Sequence, residues 1–312
     1  DSIMKPEDSP FFGIREFVET LRMGTFTAAG NRLGLTGSAV GKTVTRLESK
    51  LGTKLLHRTT RKVMATPEGQ HYFEGWVKIL AEIDSLEQAV TAGSHNVSGQ
   101  VKLHLPAAFG RKYVMPILSK LANKYPKLEL AVHFSESRIN LINENVDLVV
   151  RIGTLEDDAD LVAKLLGYQK LTVCGSQGYF DQHGVPDTPA DLLTHDCIIG
   201  SKRSSQPTWL FKDSKKQSFN QLINARYMLS DGDAMLDAAL NGLGVAQLPT
   251  WLIQEQLDSN RLTSVLDTFS GAVMPINVVW PRSRYLKLSQ RVIIDELAEQ
   301  FKLQASLFGY SS

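Results

Sequence analysis

Apolar residues recur at helical spacing near the start of the chain, and this pattern predicts two short helices joined by a tight turn. The helices cover residues 25–33 and 36–51, on either side of a connection at Gly34 and Leu35. Thr25 and Thr36 each stand where a hydroxyl can cap free backbone N–H groups at a helix start. Two short helices connected in this way are typical of a helix-turn-helix.

The second of these helices is predicted to have two unlike faces. Its buried stripe consists of apolar residues at steps of four, three and four: Val40, Val44, Leu47 and Leu51. Its opposite face consists of small, polar and basic residues: Gly37, Ser38, Gly41, Lys42 and Thr45. A face of this composition fits the major groove of DNA. A solvated helix hairpin without a nucleic-acid partner is the alternative for the same pattern.

A basic β-wing is predicted beside the helix pair. The sequence LLHRTTRKVMATPEG, residues 55–69, has two short extended runs around a turn that carries Arg58, Arg61 and Lys62. Residues 11–66 hold ten Lys and Arg against three Asp and Glu, a net charge of +7, whereas the whole chain carries +1. The remainder therefore sums to −6. A basic module on an acidic remainder is typical of a nucleic-acid-binding protein, because neutralised phosphates supply much of the affinity.

Two further helices frame this module. Residues 11–23 predict a helix that turns Phe12, Phe17, Val18 and Leu21 inward and ends at Gly24. Residues 67–92 predict a helix roughly 40 Å long, at about 1.5 Å per residue.

One stripe of the long helix recurs at steps of three and four: Phe73, Val77, Leu80, Ile83, Glu87 and Val90. Nearly all of these residues are apolar, so the stripe must be buried against another surface. An antiparallel helix from a second copy is the predicted partner. Packing on the chain's own ligand-binding domain is the alternative.

Past a small, polar hinge at residues 93–99, strands alternate with helices, which predicts a doubly wound α/β region. Strands are predicted at 100–105, 128–134, 146–152, 197–200, 222–229, 244–248 and 276–280, and helices at 111–124, 232–240 and 286–301. The pattern favours a cytoplasmic protein without a membrane partner, because no apolar run approaches the ~20 residues that span a bilayer. Residues 1–10 are expected to be a disordered leader or a non-native remnant.

Several rival functions are disfavoured by the motifs. TGSAVGKT, residues 36–43, departs from a phosphate-binding loop because Thr36 replaces the first glycine and no buried strand precedes it. The chain lacks a G-x-S-x-G or H-E-x-x-H motif, and its seven histidines show no metal-like spacing. Cys174 ends an apolar run and is predicted to be a core thiol rather than a nucleophile. We therefore expect that the protein is not an enzyme and that it binds no cofactor and no metal.

The chain resembles LysR-type transcriptional regulators over nearly its whole length. The resemblance is carried by REFVETLRMGTFTAAGNRLGLTGSAV and TRLESKLGTKLLHRTTRKVMATPEG, and continues through GQVKLHLPAAFG, VDLVVRIGTL and LNGLGVAQLP. The family usually has a longer polar residue at Gly37, a proline at Ser38, and a Ser-Arg pair where this chain has Gly41 and Lys42.

The resemblance implies an α/β fold class with an N-terminal all-α winged helix-turn-helix, a long linker helix and a two-lobed effector domain similar to periplasmic binding proteins. The expected divisions are a leader at 1–10, the DNA-binding domain at 11–66, the dimerisation helix at 67–92 and the hinge at 93–99. The effector domain at 100–312 is expected to form lobe I from about 100–165 and 274–312, and lobe II from about 166–273. Its chain crosses between the lobes twice.

The resemblance also implies a set of DNA contacts. Lys42 and Ser38 approach base edges or phosphates, Arg61 on the wing reaches the minor groove, and Arg58 supports the backbone. The remaining expected members of this surface are Thr27, Thr36, Gly37, Gly41, Thr43, Thr45 and Lys62. Because neither Gly37 nor Gly41 has a side chain, direct base readout by those two positions is not expected.

The predicted effector site lies where strands end, because ligands of open α/β sheets bind at the carboxyl ends of strands. From the strand pattern we select Ala107, Ala108, Phe109, Ser137, Arg151 and Gly153. The N–H groups of residues 106–110 could hold an anion, and Arg151 is either paired with a structural acid or available to a carboxylate. The family resemblance adds Gly200, Ser201, Ser230, Asp231 and Gln247.

The sequence thus predicts a regulator that binds double-stranded DNA at pseudo-palindromic promoter sites and responds to a small, anionic effector. The resemblance implies a dimer that pairs into a tetramer. The alternative is a metabolite-binding receptor whose helix-turn-helix serves protein contacts.

Overall fold

The structure is a computed structural model that describes residues 9–58, 62–91, 97–136, 140–142, 144–200, 206–283 and 286–309. The side chains of residues 81, 84, 85 and 87–91 lie outside this description. The chain divides into two compact units. The first comprises Asp1–His95, Ile139–Val146 and Ser283–Lys287, and the second comprises Asn96–Arg138, Asp147–Arg282 and Leu288–Ser312.

The first unit is built from helices and one short hairpin. Its elements are α1 (Ile14–Met23), α2 (Phe26–Leu33), α3 (Gly37–Leu51), β1 (Leu56–Arg58), β2 (Val63–Ala65) and α4 (Pro67–Thr91). The hydroxyl of Thr25 accepts the Ala28 N–H at 3.1 Å, and that of Thr36 accepts the Ala39 N–H at 3.2 Å. The predicted helix-turn-helix, its two caps and the antiparallel wing are therefore confirmed.

The turn between α2 and α3 depends on two glycines. Gly34 ends α2 in the left-handed region at φ 70°, where a residue with a Cβ is strained. A Cβ at Gly30 would lie 2.6 Å from the Leu35 carbonyl oxygen, so only glycine fits beneath the turn. Because α2 precedes the TGSAVGKT segment, the strand that a phosphate-binding loop requires is absent there.

The core of this unit lies between α1, α2, α3 and the start of α4. It contains Ile14, Phe17, Val18, Ala29, Val40, Val44, Leu47, Leu55, Leu56, Phe73 and Val77. Two details of the predicted core were wrong. Leu51 is 40% exposed because it is the last residue of α3, before Gly52 turns the chain away. Ile14 takes the buried position expected for Phe12, because Gly13 at φ 74° delays the helix start.

The second unit alternates strands and helices, as predicted. Its strands are β3 (Gly99–Leu105), β4 (Leu128–Phe134), β5 (Leu148–Ile152), β6 (Leu161–Gly175), β7 (Cys197–Ile199), β8 (Thr208–Lys212), β9 (Ser218–Leu222), β10 (Ala225–Met228), β11 (Val245–Pro249), β12 (Thr263–Val265) and β13 (Val273–Pro281). Its helices are α5 (Ala107–Phe109), α6 (Met115–Lys124), α7 (Gln177–His183), α8 (Gly232–Leu240), α9 (Thr250–Asp258), α10 (Leu288–Leu303) and α11 (Ala305–Phe308). A π-helical turn, Gly110–Val114, joins α5 to α6.

Nine strands of the described chain form one sheet, in the order β10-β7-β11-β6-β13-β5-β3-β4, with β12 also paired to β6. Strand β6 pairs with β13 over Leu161–Lys170 and with β11 over Leu171–Cys174, so it passes from one half of the sheet to the other. We call the half that holds β3, β4 and β5 the first lobe, and the half that holds β7, β10 and β11 the second lobe. The predicted crossings correspond to β6 and β13.

Some elements were missed because nothing in their local sequence marks them. The single strand predicted at 222–229 is interrupted, and its parts belong to the β8–β9 hairpin and to β10. The helix predicted from residue 111 begins at Ala107 and contains the π-helical turn. None of the described helices is long and apolar enough to cross a bilayer.

Candidate DNA-binding surface and effector site

The outer face of α3 carries an exposed polar stripe. Ser38 and Lys42 are both exposed, as the sequence predicts. The stripe continues at the same four-residue step to Arg46, which is also exposed and which the sequence reasoning missed. The repeated step was the signal that could have found it. This face therefore presents a hydroxyl and two cations along about two helical turns.

The two glycines of α3 stand in different surroundings. A Cβ at Gly37 would lie 3.0 Å from the backbone of Thr27, so the start of α3 packs tightly on the start of α2. This packing also places the exposed Thr27 beside Ser38 at one end of the stripe. A Cβ at Gly41 would meet only the Phe26 ring, at 3.8 Å or more. A Cβ at Gly37 would thus press on the backbone of α2, whereas Gly41 has room for one.

Glu48 joins α3 to the wing through a buried carboxylate. It is 3% exposed, and its Oε1 accepts the backbone N–H groups of Leu55 at 2.9 Å and Leu56 at 3.0 Å. Its Oε2 pairs with Lys54 at 3.1 Å and Arg58 at 3.3 Å. Burial raises the pKa of Glu48, but the hydrogen bonds from Leu56, Leu55 and Lys54 together outweigh it and leave the pKa lowered. The wing is therefore held to α3 by an ionised carboxylate.

Arg58 and Thr45 belong to this anchor more than to the exposed stripe. Arg58 donates to the Thr45 hydroxyl at 2.8 Å, and its guanidinium lies 5.1 Å from the centroid of the Phe26 ring. The Thr45 hydroxyl donates its proton to the Gly41 carbonyl at 2.8 Å. A phosphate oxygen needs a donor, so Thr45 could serve it only by leaving this bond. The Thr45 hydroxyl is thus committed within the protein, and the DNA contact predicted for Thr45 stays a prediction.

The remaining predicted DNA contacts lie in different places. The Thr43 methyl group lies next to Gly13, at the start of α1, rather than on the stripe. The hydroxyl of Thr36 is committed to its cap on Ala39. Lys62 is exposed just before β2, and Arg61 lies outside the described residues.

The apolar stripe predicted on the long helix is corrected by the structure. Phe73 and Val77 are 6% and 5% exposed, because both pack in the core of their own unit, and Leu80 packs against the same core. These residues cannot face a second chain without leaving that core. Ile83 is half-buried, and the Val90 side chain lies outside the description.

A different face of α4 leaves apolar surface open. Ile79 is 44% exposed and Leu86 is 46% exposed, seven residues apart on one side of the helix. With the half-buried Ile83 they recur at steps of four and three, whereas Tyr72 and Trp76, at the same spacing before them, pack against the core of their own unit. This is the heptad spacing of a helix that pairs with another helix.

The predicted effector positions collect at carboxyl ends of parallel strands in both lobes. In the first lobe, β3 is parallel to β4 and β5, and Ala107 and Gly153 follow two of these strands. In the second lobe, β7 is parallel to β10 and β11, and Gly200 and Ser230 follow β7 and β10. The lobes meet at this edge, since a Cβ at Gly232 would lie 3.3 Å from the Ala108 Cβ.

An internal carboxylate already occupies part of this edge. Glu136 follows β4, and its Oε1 accepts the Ala107 N–H at 3.0 Å. That N–H opens the helical segment after β3, where the sequence predicts an anion. The sequence did not predict this role of Glu136, which no local pattern marks, and the binding of an effector anion here stays a prediction.

Asp231 serves two structural contacts. Its Oδ1 accepts the Ala234 N–H at 3.0 Å and caps α8, while its Oδ2 lies 3.5 Å from the Arg111 guanidinium of the first lobe. Arg111 also donates to Asp233. The hydrogen bond that Arg111 donates to Asp233 is the largest cause of the raised pKa of Arg111, with the charges of both carboxylates adding to it.

Phe109 is corrected to a core residue, and Gln247 has a structural partner, although its effector role stays a prediction. Phe109 is 1% exposed, and its ring lies 5.5 Å from both Tyr113 and Trp251, so it belongs to an aromatic core. Gln247 donates to the Leu210 carbonyl at 2.7 Å and accepts the Leu210 N–H at 3.3 Å. It therefore holds the β8–β9 hairpin to β11.

Arg151 and Gly153 lie at the end of β5. Arg151 is half-buried and pairs in register with Asn277 of β13. Gly153 has φ 106° and donates its N–H to the Pro275 carbonyl at 2.9 Å, which requires glycine at this turn. Ser137 and Ser201 lie outside the described residues.

Both cysteines are buried thiols. Cys174 and Cys197 are each 0% exposed, and burial raises the pKa of each to about 12. A nucleophilic cysteine needs a lowered pKa, so neither thiol is activated. No group of three or more His, Cys, Asp or Glu residues that could hold a metal ion occurs within the described part of the chain.

Comparison with known proteins identifies the family of the chain. Residues 13–70 match the bacterial regulatory helix-turn-helix protein family of LysR type, and residues 94–302 match the LysR substrate-binding domain. The transcriptional regulator CrgA of Neisseria meningitidis serogroup C is 31% identical over 285 residues, which cover 91% of this chain and 94% of CrgA. An uncharacterised HTH-type transcriptional regulator of Haemophilus influenzae is 30% identical over 273 residues, covering 87% of this chain and 94% of the relative.

A solved structure agrees with these relatives. The structure of CrgA from Neisseria meningitidis is 29% identical, has a TM-score of 0.57, and covers 93% of this chain and 98% of its own. These proteins are transcriptional regulators, which confirms the prediction that the chain is not an enzyme. With a winged helix-turn-helix at its start and two α/β lobes joined by β6 and β13, this chain belongs to the LysR family of transcriptional regulators.

Proposed function

We propose that the exposed stripe of α3 enters the major groove of promoter DNA and that a small organic anion, bound between the lobes, modulates this binding. The observation that carries the proposal is the exposed alignment of Ser38, Lys42 and Arg46 on a module of charge +7. Lys42 and Arg46 supply donors that read base edges or neutralise phosphates. Ser38 and Thr27 supply hydroxyls at the start of the stripe.

The absence of a side chain at Gly41 assists a close approach. A Cβ at Gly41 would meet the Phe26 ring at 3.8 Å or more, and the Arg58 guanidinium lies 5.1 Å from the centroid of that ring. Arg58 orients the wing through Glu48, and Arg61 is proposed to reach the adjacent minor groove. Lys62 adds a cation at the base of the wing.

Two copies are proposed to pair through the open face of α4. Ile79 and Leu86 are apolar and largely exposed, and they share heptad spacing with Ile83. A pair of helix-turn-helix units matches two half-sites of a pseudo-palindromic promoter. We further propose that dimers assemble into tetramers, and that the protein acts in the cytoplasm.

The proposed effector site is the edge where the lobes meet. Two helical segments begin there, at Ala107 and Gly232, and their N-terminal N–H groups favour negative charge. In this structure the Ala107 N–H donates its hydrogen bond to Glu136. We propose that the carboxylate of an effector replaces Glu136 at this N–H, which makes a small carboxylate the effector class to screen. A thermal-shift screen of small carboxylates on the full chain tests this part, since a ligand of the folded state raises the unfolding midpoint.

A gel-shift titration against the DNA upstream of the chain's own gene tests the DNA contacts. Lys42→Ala and Arg46→Ala are compared with Lys215→Ala, which removes an exposed cation from the second lobe. We expect each stripe variant to weaken binding and to lower the slope of log K against log salt by about one phosphate equivalent. The Lys215→Ala variant should keep the parental affinity and the parental salt slope. If all three variants bind like the parent, α3 does not enter the groove, and a receptor that uses its helix-turn-helix for protein contacts becomes the better description.

A further inference from the structure

The π-helical turn Gly110–Val114 places two consecutive cations across the boundary between the lobes. Arg111 lies 3.5 Å from Asp231 Oδ2 and donates to Asp233, both at the start of α8. Lys112 donates to the Trp251 carbonyl at 2.9 Å, in the first turn of α9. One turn of the first lobe therefore contacts two successive helices of the second lobe. Single π-helical turns inside helices often lie at functional sites.

The Lys112 side chain is exposed, but the residue that accepts its hydrogen bond is buried. Trp251 is 6% exposed, and its indole N–H donates to Gln169 on the crossing strand β6 at 2.9 Å. The same indole packs edge-on against Phe109 and Tyr113 of the first lobe, with ring centroids 5.5 and 5.4 Å away. Because the Lys112 acceptor is a neutral carbonyl beside a packed aromatic ring, salt has little effect on this contact.

The Arg111 contact is open to solvent. The side chains of Arg111 and Asp233 are each 49% exposed, and that of Asp231 is 36% exposed. Ion pairs with this exposure are weak and are screened by salt. The contact lies on the segment that follows Ala107 and Ala108, and Ala108 touches the start of α8 beside it. Any anion that reaches this edge meets the Arg111 guanidinium together with the helix starts.

We propose that the π-helical turn is an interlobe clasp with one permanent arm and one releasable arm, and that release of Arg111 from Asp231 and Asp233 regulates how the lobes dock. Lys112 and Trp251 form the permanent arm. Arg111 is the releasable arm, a positioning residue that an anion at the Ala107 edge draws away from α8. This regulation rests on the proposed function, because it acts on the proposed effector site.

Hydrogen exchange of the full chain, measured by mass spectrometry without any small molecule, tests the clasp. Arg111→Gln and Asp233→Asn remove the releasable arm from either side. Lys120→Gln is the matched control, since its ammonium lies on α6 and pairs with Glu296 inside the first lobe, at 3.9 Å. We expect amides 234–238 of α8 to exchange several-fold faster in both clasp variants and at the parental rate in the control.

Salt provides the second readout. Raising sodium chloride from about 0.05 to 0.5 M shortens the Debye length from roughly 14 to 4 Å. We expect this to speed exchange in α8 of the parent toward the variant rate, to leave the two variants unchanged, and to leave amides 252–256 of α9 unchanged in all chains.

Three results overturn the clasp: parental α8 exchange in Arg111→Gln and Asp233→Asn, an equal acceleration in Lys120→Gln, or no salt effect in the parent. The gel shift of the same proteins is read separately. If the parent binds no DNA, the proposed function is wrong, and the exchange of α8 still tests the clasp. If DNA binding is normal but the variants leave α8 exchange unaltered, only the clasp is wrong.

Discussion

Glu48→Ala tests whether one buried carboxylate attaches the wing to the recognition helix. The substitution leaves the N–H groups of Leu55 and Leu56 without their acceptor, at a site where Glu48 is 3% exposed. Each buried donor that loses its partner costs about 1–3 kcal/mol. Alanine returns a few tenths of a kcal/mol in helix propensity. The expected loss of local stability is therefore about 2–5 kcal/mol.

Glu48→Gln is the matched variant that separates hydrogen bonding from charge. The amide oxygen can still accept both backbone N–H groups, so only the ion pairs to Lys54 and Arg58 are lost. Those partners are 73% and 40% exposed, so their pairs contribute at most about 1 kcal/mol each. We expect Glu48→Gln to cost about 0.5–1.5 kcal/mol, clearly less than Glu48→Ala.

The assay is hydrogen exchange at the wing in the full chain, because a two-unit protein does not give one unfolding free energy. Amides of Leu55, Leu56 and residues 63–66 report the opening of the hairpin. Gel shift reports the affinity for DNA. Glu48→Gln should lower this affinity less than Glu48→Ala does. Equal losses in both variants would mean that charge, and not acceptance of the two N–H groups, secures the wing.

The pH dependence supplies a second check on Glu48. Its folded pKa is lowered, so its contribution to stability is complete above the ordinary value of 4.5 and is lost as pH falls through the folded pKa. Wing protection should therefore decline below about pH 4.5 in the parent. The decline should be absent from Glu48→Gln, and an identical acid profile in that variant would assign the titration to another group.

Three further predictions concern other parts of the chain. Gly41→Ala should slow exchange in α3 and stabilise it by about 1 kcal/mol, because its Cβ has room, whereas Gly37→Ala should give no gain because Thr27 lies 3.0 Å away; equal effects would contradict the packing at α2. Burial, and then the charge of His183, lowers the pKa of His195, so the stability of the second lobe should be complete above about pH 6.5 and fall as pH decreases through the folded pKa. In His195→Gln, the denaturation midpoint of this lobe should change less between pH 7.5 and pH 5 than it does in the parent. With a pKa of about 12, both cysteines should resist iodoacetamide at pH 8 until guanidinium is added; rapid labelling of the native chain would show that a thiol is accessible.

Much of the fold follows from local pattern. The helix-turn-helix was predictable because Thr25, Thr36 and Gly34 act on neighbouring residues, and caps and left-handed turns need no distant partner. Likewise, β4 and α8 were predicted with their observed bounds, because alternation and helical periodicity persist over each of them. The basic module was also predictable, since charge is additive along the sequence.

The candidate site was predicted less completely, because spacing identifies residues that share a face but not what covers that face. Phe109, Gln247 and Asp231 lie on the predicted segments, yet each is committed to a partner far away in sequence. Glu136 could not be found from its neighbours, because its role exists only where β4 ends beside β3.

The sequence by itself determined the family, the order of elements and the charge that points to DNA, because these depend on residue identity and on short-range periodicity. Only the tertiary structure decided which face of α4 remains open, since Phe73 and Val77 are claimed by the core of their own unit and Ile79 is not. It also decided that Arg58 belongs to Glu48 and that Arg111 and Lys112 join the lobes. Such pairings depend on which distant segments the fold brings within a few ångströms, and no local pattern carries that information.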